Sequence, residues 1–160
     1  MKIRDLMSKD VVICHKDTNL AAAGAIMWER DCGFLPVVDE AGAVTGVLTD
    51  RDICIALCTR NVRASELTAG DVAVSQVLSC TENEDVRAAL RTMRDAKVHR
   101  LPVVDGGPGL QGIVSMDDIL VCAEKGDGKT RTQVPIDDVL QTLQAISAHH
   151  QSRQLVVAAE

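Results

Sequence analysis

A mixed α/β (α+β) fold is what this sequence predicts: two β-α-β-β-α repeats packed sheet to sheet with pseudo-two-fold symmetry, plus a C-terminal helix. Three observations predict it. The first is an internal duplication: Leu35-Pro36-Val37-Val38-Asp39 recurs as Leu101-Pro102-Val103-Val104-Asp105, a shift of 66 residues. The shift holds without a gap from Asp5/Asp71 to Ile53/Ile119, and 14 of the 49 pairs are identical, where unrelated sequences give roughly 3. The second is that both copies carry the same succession of apolar runs, cap residues and turns. The third is an aliphatic composition, 46% hydrophobic with only 1% aromatic residues (Trp28 and Phe34), so the core is built from Val, Leu, Ile, Ala and Met.

Within each repeat the elements follow in order. Short apolar runs at 11–14 and 77–80 predict a first strand. Asp17-Thr18-Asn19 and Asn83-Glu84-Asp85 have side chains suited to capping, and open Ala-rich helices that run to about Arg30 and Ala96. The Leu-Pro-Val-Val-Asp strand is next, its β-branched valines suited to a buried pleat. A turn at Gly42, or at Gly106-Gly107-Pro108-Gly109, leads to a strand over 44–48 or 110–114, and a helix starts at Asp50 or Met116. Three short strands cannot bury both faces of their sheet alone, so the two repeats are expected to share a core. The domain reading is 1–58 for repeat 1, 59–70 for a connector, 71–123 for repeat 2, and 124–160 for a linker and amphipathic helix. In that last segment Glu124 to Gln133 reads as a flexible connector. Pro135 suits a first helical turn, and Ile136, Val139, Leu140, Leu143 and Ile146 form the apolar stripe. Two roles are open for that helix: packing back on its own chain or a second subunit, or docking a regulated partner.

Charge and composition narrow the function. A net charge of −6 without a long basic stretch, and a near-absence of aromatics, argue against nucleic acid and anionic membrane as partners. The N-terminus lacks the apolar run of a signal peptide and no stretch approaches a membrane span, which predicts a cytoplasmic protein. Cys14, Cys32, Cys54, Cys58, Cys80 and Cys122 form no CxxC pair and read as reduced, mostly small apolar fillers. His15, His99, His149 and His150 form no ligand set, so no metal is expected. No nucleophile stands with a base and an orienting group, so no catalytic residues are assigned and the chain is read as a non-enzyme needing no cofactor.

Chemistry gathers where the last strand of each repeat gives way to a helix. Thr49-x-x-Asp52 and Ser115-x-x-Asp118 have the pattern of a capping box, in which the hydroxyl accepts from a backbone N–H and the carboxylate reaches back. A helix start also carries unpaired N–H groups that tolerate a phosphate, and a carboxylate there can accept both hydroxyls of a ribose.

These residues resemble the CBS domain family, named after cystathionine β-synthase and usually found as a tandem pair. The resemblance rests on the Leu-Pro-Val-Val-Asp strand and on Gly46-Val47-Leu48-Thr49-Asp50-Arg51-Asp52 and Gly112-Ile113-Val114-Ser115-Met116-Asp117-Asp118. It covers residues 3 to 122. The second repeat, through Val98-His99-Arg100-Leu101 and Gly112-Ile113-Val114-Ser115, also resembles the γ subunit of AMP-activated protein kinase. The resemblance implies an adenine nucleotide (AMP, ADP or ATP) or a related adenosyl ligand held in the cleft between repeats, with Ser/Thr toward phosphate and Asp toward the ribose. It places a favoured second site at Gln76, Leu78, Val98, His99, Arg100, Pro102, Ile113, Ser115 and Asp118. A weaker first site comprises Asp10, Val12, Cys32, Gly33, Phe34, Pro36, Val47, Thr49, Arg51 and Asp52. The first is weaker because Gly33 and Phe34 stand where the second has His99 and Arg100, whose side chains meet phosphate oxygens. Arg51 is the cation available to compensate, and Lys97 is a further candidate contact. The implied role is a regulatory signalling module: binding alters an unidentified regulated protein or a homodimer formed through the helices. The alternative is a structural dimerisation module with degenerate sites.

Overall fold

The computed structural model describes residues 1–124 and 134–148. Of the predicted connector Glu124 to Gln133, only Glu124 is among them, and it ends a short strand; the rest, with His149 and His150, lies outside them. Repeat 1 comprises β1 (Cys14–His15), α1 (Leu20–Glu29), β2 (Phe34–Val38), β3 (Val44–Thr49) and α2 (Asp50–Arg60). A short 3-10 turn (Ala64–Glu66) and α3 (Ala69–Val72) follow. Repeat 2 comprises β4 (Cys80–Thr81), α4 (Val86–Ala96), β5 (Arg100–Val104), β6 (Leu110–Ser115) and α5 (Met116–Val121). The paired β7 (Ala123–Glu124) and β8 (Val134–Pro135) then lead to α6 (Ile136–Ser147). The fold is mixed α/β, with two three-stranded sheets ordered β1-β2-β3 and β4-β5-β6.

The caps are those the sequence offered. Asn19 accepts from the Ala22 N–H at 2.8 Å to open α1, and Asp85 accepts from the Arg87 N–H at 3.0 Å to open α4. Such caps are worth about 1 kcal/mol each. Both of these helices hand over to the next strand through a left-handed residue at the same repeat position, Asp31 (φ 49°) and Lys97 (φ 57°). Lys97 is thus the C-cap of α4 and exposed.

The first strand of each repeat is shorter and later than its apolar run. β1 pairs in parallel with β2 only through Cys14–Val37 and His15–Val38. One position earlier the neighbour is Pro36, which has no N–H to give, so the ladder cannot extend to Val11. Across β2–β3, Pro36 faces Val47, whose N–H and C=O both bond outward to Val74 (3.0 and 2.9 Å). The Pro36–Val47 pair therefore needs no hydrogen bond, and the proline takes nothing from the β2–β3 ladder.

Packing divides the chain into two units that cut across the repeat boundaries. One contains Lys9–Ser79 and Val104–Gly112; the other contains Met1–Ser8, Cys80–Val103 and the described residues from Ile113 onward. Met1–Ser8 packs in the unit of repeat 2: Ile3 is fully buried with Val86, Leu90, Met93 and Leu101, and Ser8 exchanges two backbone bonds with Ile113. The 66-residue shift relates this Ser8–Ile113 pair to Val74–Val47 in the other unit. Each repeat's leading segment thus adds to the outer edge of the other repeat's last strand. The first unit's core gathers Cys14, Leu20, Ala23, Met27, Leu35, Val37, Leu48 and Ala69.

In the predicted stripe of α6, Val139 and Ile146 are buried, but Leu140 is exposed and Thr142 takes the inward place. The Thr142 hydroxyl donates to the Asp138 carbonyl at 2.8 Å, which satisfies it inside the packed face. Pro135 is the N-cap of α6 and not its first turn. The helix lies against α4 and α5.

Candidate nucleotide site

The two helix starts have nearly the same geometry. In repeat 2 the Ser115 hydroxyl donates to Asp118 Oδ2 at 2.6 Å, the Ser115 N–H donates to the same oxygen at 2.8 Å, and the Asp118 N–H donates back to Ser115 Oγ at 3.1 Å. In repeat 1 the corresponding distances for Thr49 and Asp52 are 2.6, 3.1 and 3.1 Å. The capping box is therefore real in both repeats. It uses one carboxylate oxygen of each Asp. The other, Oδ1, accepts no bond from the described residues and is the atom with capacity for a ligand hydroxyl.

One backbone bond beside the helix start is shared by the repeats, and the side chains around it differ. In repeat 2 the Met116 N–H bonds the His99 carbonyl at 2.8 Å, which pins the start of α5 beside the start of β5. Arg100 is half-exposed, and its nearest carboxylate is Asp117, 4.0 Å away and itself 83% exposed. Such a contact holds the guanidinium weakly. His99 is exposed, Val98 packs on the core, and Pro102 is buried. The structure thus sets the backbone at His99 beside the helix start that carries Ser115 and Asp118, with Arg100 next in sequence. Ile113 belongs to the same unit, but Ser8 occupies its backbone N–H and C=O, leaving only its half-buried side chain for a base. Gln76 and Leu78 fall in the unit of repeat 1, where both are exposed.

In repeat 1, Phe34 pairs with Thr49 and Pro36 with Val47. Four of the residues assigned from sequence therefore sit on facing strands. The start of α2 has its first-turn N–H groups engaged within the chain. The N–H groups of Asp50, Arg51 and Asp52 are taken by Gly33 O (3.3 Å), Asp50 Oδ1 (2.7 Å) and Thr49 Oγ1 (3.1 Å). No donor is left in the first turn of α2, which also carries two carboxylates. Phe34 is buried, Val47 has lost its backbone to Val74, Val12 packs on the core, and Asp10 and Arg51 are exposed. Cys32 and Gly33 border a cleft of about 400 Å³ between α1 and α2, shared with Asp50, which sequence reasoning did not assign. A Cβ on Gly33 would lie 2.7 Å from Asp50 Oδ2, so glycine there admits the Asp50 carboxylate.

Two β-α-β-β-α units, each closing on a Ser/Thr-x-x-Asp helix start, define a tandem-repeat module. The CBS domain model matches residues 3–58 and 69–124, and the chain belongs to the CBS domain family. It is 33% identical over 116 residues to hypoxic response protein 1 of Mycobacterium tuberculosis, covering 72% of this chain and 80% of that one. It is also 33% identical over 114 residues to inosine-5'-monophosphate dehydrogenase of Mycobacterium leprae, covering 71% of this chain but only 21% of the relative's length. Among solved structures it resembles the CBS domain pair of protein MJ0100 in complex with 5'-methylthioadenosine and S-adenosyl-L-methionine. The TM-score is 0.68, at 28% identity over 74% of this chain and 92% of that one. No helix among the described residues is long and apolar enough to cross a membrane, and no group of three or more metal-ligating side chains occurs among them.

Proposed function

We propose that this CBS pair is a non-catalytic cytoplasmic regulatory module that binds an adenine nucleotide (AMP, ADP or ATP) or a related adenosyl ligand at the site of repeat 2. Binding alters a homodimer or an unidentified regulated protein. The observation that carries this reading is the grouping of Asp118, with one carboxylate oxygen uncommitted, beside the weakly held Arg100 and the exposed His99. In it the ribose hydroxyls meet Asp118 Oδ1, and the phosphates meet the Arg100 fork and the His99 ring. The adenosine-derived ligands of the MJ0100 pair support the same chemistry.

Repeat 1 has Gly33 and Phe34 where repeat 2 has His99 and Arg100, which favours a degenerate site there. Isothermal titration with AMP, ADP, ATP, S-adenosylmethionine and 5'-methylthioadenosine tests the reading. We expect saturable binding of at least one of them, weakened about 10- to 100-fold by Arg100→Ala, the scale of a hydrogen bond to a charged group. Absence of heat and of thermal shift across the panel would leave the structural-module alternative.

A further inference from the structure

Three arginines lie along one face of α4. Arg87, Arg91 and Arg94 follow one another at spacings of four and three residues, which makes them neighbours on the helix surface. With Asp138 and Gln141 of α6 they border a cavity of about 250 Å³, whose wall also includes the buried Leu90. Both helices belong to one packing unit, and the cavity shares no residue with the Asp118 site.

The charges around this cavity do not balance. Arg87 Nε donates to Asp138 Oδ2 at 3.1 Å. Arg94 Nε reaches only its sequence neighbour Asp95, at 3.3 Å, and that carboxylate is 73% exposed. Arg91 is exposed and forms no ion pair among the described residues. The cavity is thus lined by three guanidinium groups and one carboxylate, in a chain whose net charge is −6. Like charges three and four residues apart on a helix repel, and forming the helix does not call for them. The 66-residue shift puts Ala21, Ala25 and Trp28 of α1 at the same three places, and α1 forms without a charge there. The arginines occur in the copy against which α6 packs.

We propose that this cavity is a site for a compact phosphate anion of the pyrophosphate type, held between α4 and α6. Arginine is the side chain whose planar fork meets phosphate oxygens in pairs. A diphosphate presents oxygens in several directions, so the Arg91 and Arg94 forks can engage different ones while the Gln141 amide donates from α6. The volume of about 250 Å³ lies below the roughly 300–1,000 Å³ of clefts that enclose a drug-sized ligand. That selects a small anion over a whole nucleotide, and none of the residues lining the cavity is an aromatic on which a base could stack. Asp138 competes with the anion for Arg87 and so limits the affinity. The site stands independently of the proposed nucleotide site.

Isothermal titration of inorganic pyrophosphate into the full chain, at low and at high sodium chloride, tests the proposal. We expect one saturable site per chain that weakens as salt rises. Arg91→Gln preserves helix propensity and should weaken binding about tenfold or more, the scale of a hydrogen bond to a charged group, with unchanged far-ultraviolet circular dichroism. Asp138→Asn should tighten it, a gain that a purely structural Arg87–Asp138 pair would not produce. Citrate and a polyglutamate peptide should both bind more weakly than pyrophosphate. Absence of pyrophosphate binding, or binding indifferent to both Arg91→Gln and Asp138→Asn, overturns the site whatever the adenosine titrations show. Pyrophosphate binding lost in Arg100→Ala but kept in Arg91→Gln would move the anion to the nucleotide site and overturn this one. Tighter binding of citrate would overturn the phosphate assignment, and tighter binding of polyglutamate would replace the small anion with an acidic protein segment.

Discussion

At the residue scale, Asp118 and Ser115 do two jobs with different atoms. Oδ2 of Asp118 and the Ser115 hydroxyl close the capping box, and Oδ1 remains outside it. Removing the box therefore has a stability cost that is separate from any ligand. Ser115→Ala and Thr49→Ala should each lower unfolding free energy by about 1 kcal/mol, read from urea midpoints in the absence of nucleotide. Cys14 and Cys80 carry a second residue-scale signature. Burial pushes their thiols up to about 11 and about 12, with Glu84 adding to the second. The folded thiol then keeps its proton while the unfolded one loses it near 9. Stability from this source is whole below pH 9 and is lost as pH rises toward 11 to 12. The double variant Cys14→Ala, Cys80→Ala should show a shallower fall of urea midpoint between pH 8.5 and 11 than the parent. An equal slope would assign the loss to other groups.

At the element scale, much of the fold is legible because local chemistry and tertiary packing agree. Thr49 and Ser115 mark the starts of α2 and α5, and Asn19 and Asp85 those of α1 and α4, since a cap residue acts within three positions of itself. The failures involve partners far away in sequence. Val11 to Ile13 look like strand, but whether they pair depends on Pro36. Leu140 fits a helical stripe, but the face that packs is decided by α4 and α5, which accept Thr142 with its hydroxyl satisfied internally. The occupation of the α2 first-turn donors by Gly33 and Asp50 was equally invisible. Thiol chemistry checks the burial of these elements. Cys54 and Cys58, exposed on α2, should react with a disulfide reagent in the native protein, whereas Cys14 and Cys80 should react only on unfolding.

At the scale of the whole molecule, the leading segments tie the duplication together. Met1–Ser8 continues the core of repeat 2, and its counterpart around Val74 continues the edge of repeat 1. A repeat cut at its sequence boundary would lose that edge. Ile3, fully buried far in sequence from its neighbours, should cost about 2–5 kcal/mol when replaced by Ala. The asymmetry between repeats matters as much as their likeness. One has His99 and Arg100 at the start of its second strand and α6 over its helices; the other has Gly33 and Phe34 there and leaves Trp28 exposed. The more direct test of the binding account is therefore a comparison of equivalent residues: calorimetric titration of the strongest adenosine ligand into the intact chain, Asp118→Asn and Asp52→Asn. The account predicts one site per chain, lost in Asp118→Asn and kept in Asp52→Asn; binding that survives Asp118→Asn but not Asp52→Asn would contradict it.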